Sequence, residues 1–342
     1  MIKMNFEIEF IKRFKNFLIS DVFEQPEDAK SGYWEDYTKK INVIIKDSTL
    51  LIQGKAGNYI PSKKYTLQFF MNRTKSFMEK IINKNSFMSY EKAFNKVMGE
   101  KEIPAYQQIE FDYDKIIAKN ILECKKIFPF KYNLNKHYIR SYYYLNVLSS
   151  YIDLSKSKFI VEIGAGNGNL LSIIKYHFSP KCIINIDLPE TLTISIPFLK
   201  DLFPEAKILF PNEINEKINL ENLQKYDFIF LTPNQISKLD ENLFDLFINT
   251  TSLQEMNMSQ IQKYINLIQK IGKNGSFFFN ANRVEKAPHD GPKTEEYRNI
   301  KPTRFAEYPF FENNEVFFLE ICRFTSLIQN HPLYTKLEKI VK

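Results

Sequence analysis

Residues Phe159–Leu170 read F-I-V-E-I-G-A-G-N-G-N-L. Four apolar residues flank one acid, Glu162, and glycines follow at alternate positions, Gly164, Gly166 and Gly168. A short apolar run bounded by glycine predicts a buried strand that ends in a tight turn. Glycine permits positive φ at such a turn and lets a ligand approach the main chain. From Asn169 the pattern changes, with Leu170, Leu171, Ile174 and Phe178 recurring at helical spacing. Strand, glycine turn and helix together open a nucleotide-binding α/β domain.

The next apolar run, Cys182–Asp187 (C-I-I-N-I-D), ends in an acid where the second strand of a βαβ unit should finish. A carboxylate there can accept hydrogen bonds from ribose hydroxyls. The glycine spacing G-x-G-x-G departs from the dinucleotide fingerprint G-x-G-x-x-G. A dinucleotide needs a helix N-terminus for its pyrophosphate, whereas an acid ahead of the glycines suits a cation. The pattern E-I-G-x-G-x-G resembles the first motif of class I S-adenosylmethionine (SAM) methyltransferases. The resemblance implies SAM as cofactor, with its ammonium near Glu162 and its ribose at Asp187. Gly164, Ala165, Gly166, Gly168 and Leu188 would line it. A nicotinamide cofactor, or a glycine turn that binds nothing, is the alternative.

The whole chain is consistent with a globular enzyme. Its 342 residues suffice for one large or two modest domains, and 44% hydrophobic with 25% charged residues is ordinary for a folded chain. No apolar run reaches membrane-span length, and the opening M-I-K-M-N-F-E-I-E-F mixes Glu and Lys into its apolar residues, unlike a signal peptide. Cys124, Cys182 and Cys322 are scattered without disulfide or metal spacing, which fits a reducing cytoplasm. The net charge of +7 comes overwhelmingly from dispersed Lys. Arg, the usual reader of phosphate and bases, is scarce, so no nucleic-acid partner is expected.

Residues 1–150 are expected to form a mostly helical, substrate-side or lid domain. Phe6, Phe10, Phe14, Phe17 and Leu18 predict an amphipathic helix over residues 1–20. Trp34, in S-G-Y-W-E-D-Y, is a sugar-stacking candidate or an anchor beneath a loop. Residues 47–61 read as turns, and 65–82, 89–98, 111–128 and 137–151 as helices. In the last of these, Tyr142, Tyr143 and Tyr144 face three directions, and Tyr143 is taken as a substrate contact. Residues 151–342 are expected to form the Rossmann-like domain. Strands are predicted at 159–163, 183–187, 207–210, 227–233, 243–250, 276–281 and 315–324. Helices are predicted from Pro189 to about Phe203, kinked at Pro197, and from Gln260 to Ile271, capped by Ser259. Alternating strands and helices imply a parallel sheet with helices on both faces, and ligands bind at the carboxyl ends of its strands.

Those strand ends hold the chemistry. I-D-L-P-E-T-L begins at Ile186, L-T-P-N-Q at Leu231, F-I-N-T-T-S-L-Q-E-M at Phe247, and N-A-N-R-V-E-K-A-P-H-D-G-P at Asn280. With the glycine motif, this set resembles the sugar O-methyltransferase family of bacterial polysaccharide and glycoside pathways, over Trp34 and Phe159–Arg283. The resemblance implies a class I methyltransferase fold, SAM, and a sugar or nucleotide-sugar acceptor. Thr232 and Asn249 join the cofactor set by their place at strand ends. Methyl transfer to a hydroxyl gains from in-line positioning and from a general base, which contributes ~10²–10⁴-fold. His289 is the first choice as base, because imidazole titrates near neutrality, followed by Glu255 and Asp290. Arg283, Arg298 and Arg304 bracket the same long loop and could hold a diphosphate, and Val284–Phe310 reads as a lid. A divalent cation on vicinal hydroxyls is left open, with no carboxylate set identified to hold it, and so is a homo-oligomer. Competing readings are a methyltransferase of another small molecule or of RNA, and a catalytically silent scaffold.

Overall fold

The computed structural model describes residues 2–25, 38, 41–53, 136–286, 302–322 and 332–342. The helices expected at 65–82, 89–98 and 111–128, and Trp34, Cys124, His289, Asp290 and Arg298, lie outside the described residues.

Near the amino terminus, β1 (Ile2–Asn5) precedes α1 (Ile8–Leu18), and β2 (Asn42–Lys46) and β3 (Thr49–Gln53) follow. These strands form an antiparallel three-stranded sheet in the order β1-β3-β2. The sequence reading expected no sheet here. N-V-I-I-K and T-L-L-I-Q lack polar–apolar alternation, and their pairing depends on Asp47, a non-glycine residue at φ 54° that closes the hairpin.

The rest is a mixed α/β unit. Its helices are α2 (Lys136–Tyr151), α3 (Asn169–Phe178), α4 (Pro189–Leu202), α5 (Leu220–Lys225) and α6 (Met258–Ile271). Its main strands are β4 (Phe159–Ile163), β5 (Cys182–Ile186), β6 (Ile208–Leu209), β7 (Phe228–Leu231), β8 (Phe244–Thr250), β9 (Gly272–Arg283), β12 (Glu315–Ile321) and β13 (Leu333–Lys339). A short antiparallel pair, β10 (Glu285–Lys286) with β11 (Thr303–Arg304), stands apart from them. The eight-stranded sheet runs β12-β13-β9-β8-β4-β5-β7-β6. From β9 to β6 all neighbours are parallel, while β13 and β12 are antiparallel. Strand order reverses at β4, whose neighbours are β5 and β8, so β4 marks the switch point where ligands bind in such sheets.

Alternation along the strands separates two cores. Ile160, Ile183, Phe228 and Leu246 pack with α2, α3 and α4 on one face. Val161, Ile184, Ile229 and Phe247 pack with α5 and α6 on the other. Strands buried on both faces read as continuous apolar runs, which is why β4, β5 and β7 are legible in sequence. Strand β13 was not predicted; Lys336 and Glu338 stand among its apolar residues. Both are buried: the Lys336 ammonium pairs with Glu338 and lies 3.5 Å from the centroid of Phe310, and Glu338 accepts from Asn314 Nδ2 at 3.1 Å. The cap of α6 is Asn257, reciprocally bonded with Gln260, while Ser259 donates to Asn257. Pro197 lies inside α4.

Helix α1 packs directly on the α/β unit. Phe10, Phe14 and Phe17 set their rings 5.7, 6.4 and 6.2 Å from Phe210. Arg13 forks onto Glu213 with two bonds of 2.7 Å, donates to Ile208 O at 2.6 Å, and covers the Phe210 ring at 4.7 Å. Phe210 is fully buried at the centre of this contact. Phe210→Ala is expected to cost about 3–5 kcal/mol, read from the shift in chemical-denaturation midpoint. A loss below 1 kcal/mol would show that α1 is not seated there.

Candidate ligand site at the switch point

The glycine turn begins where β4 ends. Gly164 N donates to Ile186 O at 2.7 Å, holding the turn against β5. Gly164 has φ +70°, and a Cβ added to it would stand 1.9 Å from Ser252 Oγ. Close approach of the loop after β8 therefore demands glycine. At Gly166, φ +59°, a Cβ would meet nothing within 4 Å. The main chain at Gly166 borders open space, which suits an incoming ligand. Ala165 is half-buried, and its carbonyl accepts from Gly168 N at 3.0 Å.

Asp187 follows β5 and is buried. Its Oδ2 accepts from Gly166 N and its Oδ1 from Leu188 N, both at 2.8 Å. A carboxylate offers about four acceptor positions, so the two backbone donors, with the Thr191 hydroxyl beside them, leave capacity for a ligand hydroxyl. Burial pushes the Asp187 carboxyl up to about 7, against the pull of those two N–H groups. Glu162, in β4, is also buried, and its Oε2 has no hydrogen-bond partner. Burial, and then the neighbouring Asp187 charge, push it up to about 8. Two buried acids beside an open turn oppose a pyrophosphate and favour a ligand with a cation and a diol.

The other strand ends carry structural bonds. Asn249 Nδ2 donates to Ile163 O at 2.8 Å, and its Oδ1 accepts from Leu253 N at 3.2 Å and from Asn282 Nδ2 at 2.7 Å. Asn282 also donates to Asn280 Oδ1 and accepts from Gln254 N at 3.0 Å, and Gln254 Oε1 accepts from Arg283 N at 2.8 Å. This buried amide network staples β4, β8 and β9 to the 253–255 turn. Asn249, read as a cofactor residue, sits at its centre. Thr232, from the same set, is fully buried, with its N–H on Gln235 and its hydroxyl on Asn234.

Glu255 lies in the 253–255 turn and forms a buried ion pair with Lys286 Nζ at 3.0 Å. Thr303 Oγ1 donates to Met256 O at 3.3 Å, so both arms of the β10–β11 pair are fastened to this turn. Arg304 is exposed and held by Glu285 at 2.6 Å and Glu307 at 3.2 Å. Arg283 ends β9. Tyr143 is buried, its ring 6.0 Å from that of Tyr144. The structure therefore brings Glu162, Gly164, Gly166, Asp187 and Leu188 together. Ser252 and Asn282 fall within the strand-end stretches singled out in the sequence but were given no individual role there, and Lys286 was given none. Lys286, a lone Lys in a loop, carried no signal, whereas Asn282 was visible as one member of N-A-N.

No protein-family model matches the chain, and no curated protein matches it in sequence. Solved structures resemble its α/β layout. A SAM-dependent methyltransferase from Methanosarcina mazei is 12% identical, covers 57% of this chain and 97% of its own, and has a TM-score of 0.37. The methyltransferase domain of bacterial CtHen1 is 15% identical over 60% of this chain and 100% of its own, with a TM-score of 0.39. The [4+2]-cyclase SpnF is 12% identical over 58% of this chain and 80% of its own, also with a TM-score of 0.39. Likeness this distant says nothing of ligand or reaction, which rest on the chain's own residues. Among the described residues no helix is long and apolar enough to cross a membrane.

Gly164→Ala is expected to destabilise the chain by about 1–3 kcal/mol through overpacking, and adding Ser252→Gly should restore part of the loss in a denaturation series. Both carboxyls titrate higher in the folded chain than their ordinary values of 4.5 for Glu162 and 3.8 for Asp187. The folded state thus holds more protons, and ligand-free stability should fall as pH rises from about 4.5 toward 8. Thermal melts across this range test the sign, and Glu162→Gln should flatten the slope.

Proposed function

We propose that the chain is a SAM-dependent O-methyltransferase whose acceptor is a sugar hydroxyl, carried on a nucleotide sugar or a glycan of a bacterial surface polysaccharide. One observation carries the cofactor reading: an open glycine turn lies beside two buried carboxyl groups, one of which has an unpartnered oxygen. When bound, SAM supplies a methyl group activated by its sulfonium. Asp187 would hold the ribose hydroxyls, Glu162 the ammonium, and the backbone at Gly166 would border the ligand. The sugar part is supported by the resemblance of the strand-end motifs.

The chain must also take a proton from the acceptor hydroxyl. Glu255 is engaged by Lys286, and an ion-paired carboxylate is a weaker base than a free one. His289, nearby in sequence after β10, is therefore preferred as general base. Arg304 is already neutralised by two acids, which supports an acceptor whose recognition does not depend on that guanidinium.

S-Adenosylhomocysteine is expected to raise the melting temperature, and Asp187→Ala to abolish the rise. No shift at millimolar ligand would sink the cofactor reading and favour a silent scaffold. Transfer of label from SAM should appear on a sugar or nucleotide sugar in an acceptor panel that includes RNA and small phenols. Label only on one of the latter would replace the acceptor class. His289→Ala should lower kcat by ~10²–10⁴ while leaving S-adenosylhomocysteine binding intact, and near-normal turnover would remove His289 from the role.

A further inference from the structure

The strand register places Glu162 of β4 opposite Asn185 of β5, on the same face of the sheet. Asn169 opens α3, whose Leu170, Leu171, Ile173 and Ile174 pack over that face with Ile160 and Ile183. All three residues are buried, and each has an unpartnered acceptor: Glu162 Oε2, Asn185 Oδ1 and Asn169 Oδ1. Asn185 spends an N–H on Ser195 Oγ at 3.1 Å. Each of the three thus keeps a buried lone pair that no donor reaches. A carboxylate adds only acceptors to such a place, whereas a carboxylic acid adds an O–H, and an ammonium adds three N–H donors.

Among the described residues, the charged groups named on the surrounding elements are engaged or placed elsewhere. Strand β5 leads to Asp187, another acid, and β8 contributes the Thr250 hydroxyl. Helix α3 carries Lys175, which pairs with Asp227 at 2.7 Å, and His177, at its far end. Helix α4 carries Glu190 in its first turn and Lys200 and Asp201 in its last. Helix α2 carries Arg140, whose charge acts on the Tyr144 hydroxyl.

We propose that ligand binding in this pocket is coupled to release of a proton: the ligand-free chain holds Glu162 as the neutral acid, and an entering ammonium takes the place of that proton. The inference rests on the SAM reading given above. The O–H bond of the carboxylic acid breaks, its proton passes to solvent, and the carboxylate pairs with the ammonium. The new Glu162 carboxylate is balanced locally by the ligand's ammonium, and the complex as a whole carries one proton fewer. Ligands lacking the amino-acid end leave Glu162 protonated.

Calorimetric titration at pH 7 in two buffers of different ionisation enthalpy measures the protons released. The ligands are S-adenosylhomocysteine and 5′-methylthioadenosine, which keeps the nucleoside and thioether without the ammonium. Any proton lost from Asp187 on contact with ribose is common to both. S-Adenosylhomocysteine should release about one proton more, and Glu162→Gln should erase the difference. Equal release by the two ligands overturns the inference and leaves the cofactor reading standing. Binding of neither ligand overturns the cofactor reading and this inference with it. The wild-type comparison decides the matter even where Glu162→Gln does not fold.

Discussion

A carboxyl group sealed from water with an oxygen left unpartnered is expensive to ionise, and Glu162 is sealed in this way beside a second buried acid. The arrangement at the switch point follows from that constraint. Strand β4 must carry a polar residue through an otherwise apolar layer, and the chain turns immediately afterwards through glycines at alternate positions, Gly164, Gly166 and Gly168. Asp187 is tolerable because two backbone N–H groups face it. Glu162 is faced only by the Thr250 hydroxyl and keeps one oxygen unpartnered, so the pocket is poised between a proton and an external cation.

The rest of the sheet holds that pocket in shape. Gly164 and Ser252 approach so closely that a single methyl group cannot fit between them. The amide network of Asn249, Asn282 and Gln254 then fixes the loop that carries Ser252. Such a network stabilises only when its members are satisfied, and Asn280 Nδ2 is left without a partner at its edge. The Glu255–Lys286 pair extends the same fastening to the segment that leaves β9. Residues that a sequence reader assigns to ligand binding because they end strands can thus be the ones that hold the strand ends together. Asn249 and Thr232 both make such bonds.

Sequence reading succeeded where burial is uniform. Phe159–Ile163, Cys182–Ile186 and Phe228–Leu231 are central parallel strands, and an unbroken apolar run followed by Gly, Asp or Pro has few other physical solutions. The fold class and the Glu162–Gly166–Asp187 grouping follow from these runs. Reading missed β13, in which charged residues are buried. Lys336 and Glu338 satisfy each other inside the protein, a pairing invisible along one dimension. It failed also where pairing is non-local: β1 and β3 are neighbours across some 47 residues, joining Ile2–Asn5 with Thr49–Ile52. Amide networks and ion pairs such as Glu255–Lys286 depend on contacts across loops that no periodicity encodes.

Strand β13 has a consequence for synthesis. During translation β9 emerges with its partner β8 already made, yet its other edge stays bare until Leu333–Lys339 have left the ribosome. The waiting segment contains S-F-F-F-N-A, Ser276–Ala281, a β-prone hexamer without charge or proline of the kind that seeds cross-β association. The nascent chain therefore passes through an interval in which this β-prone strand is half-paired. Slow codons or a holding chaperone over residues 284–332 would prolong or shield that interval, so soluble yield depends on the pace of elongation as well as on the stability of the finished sheet.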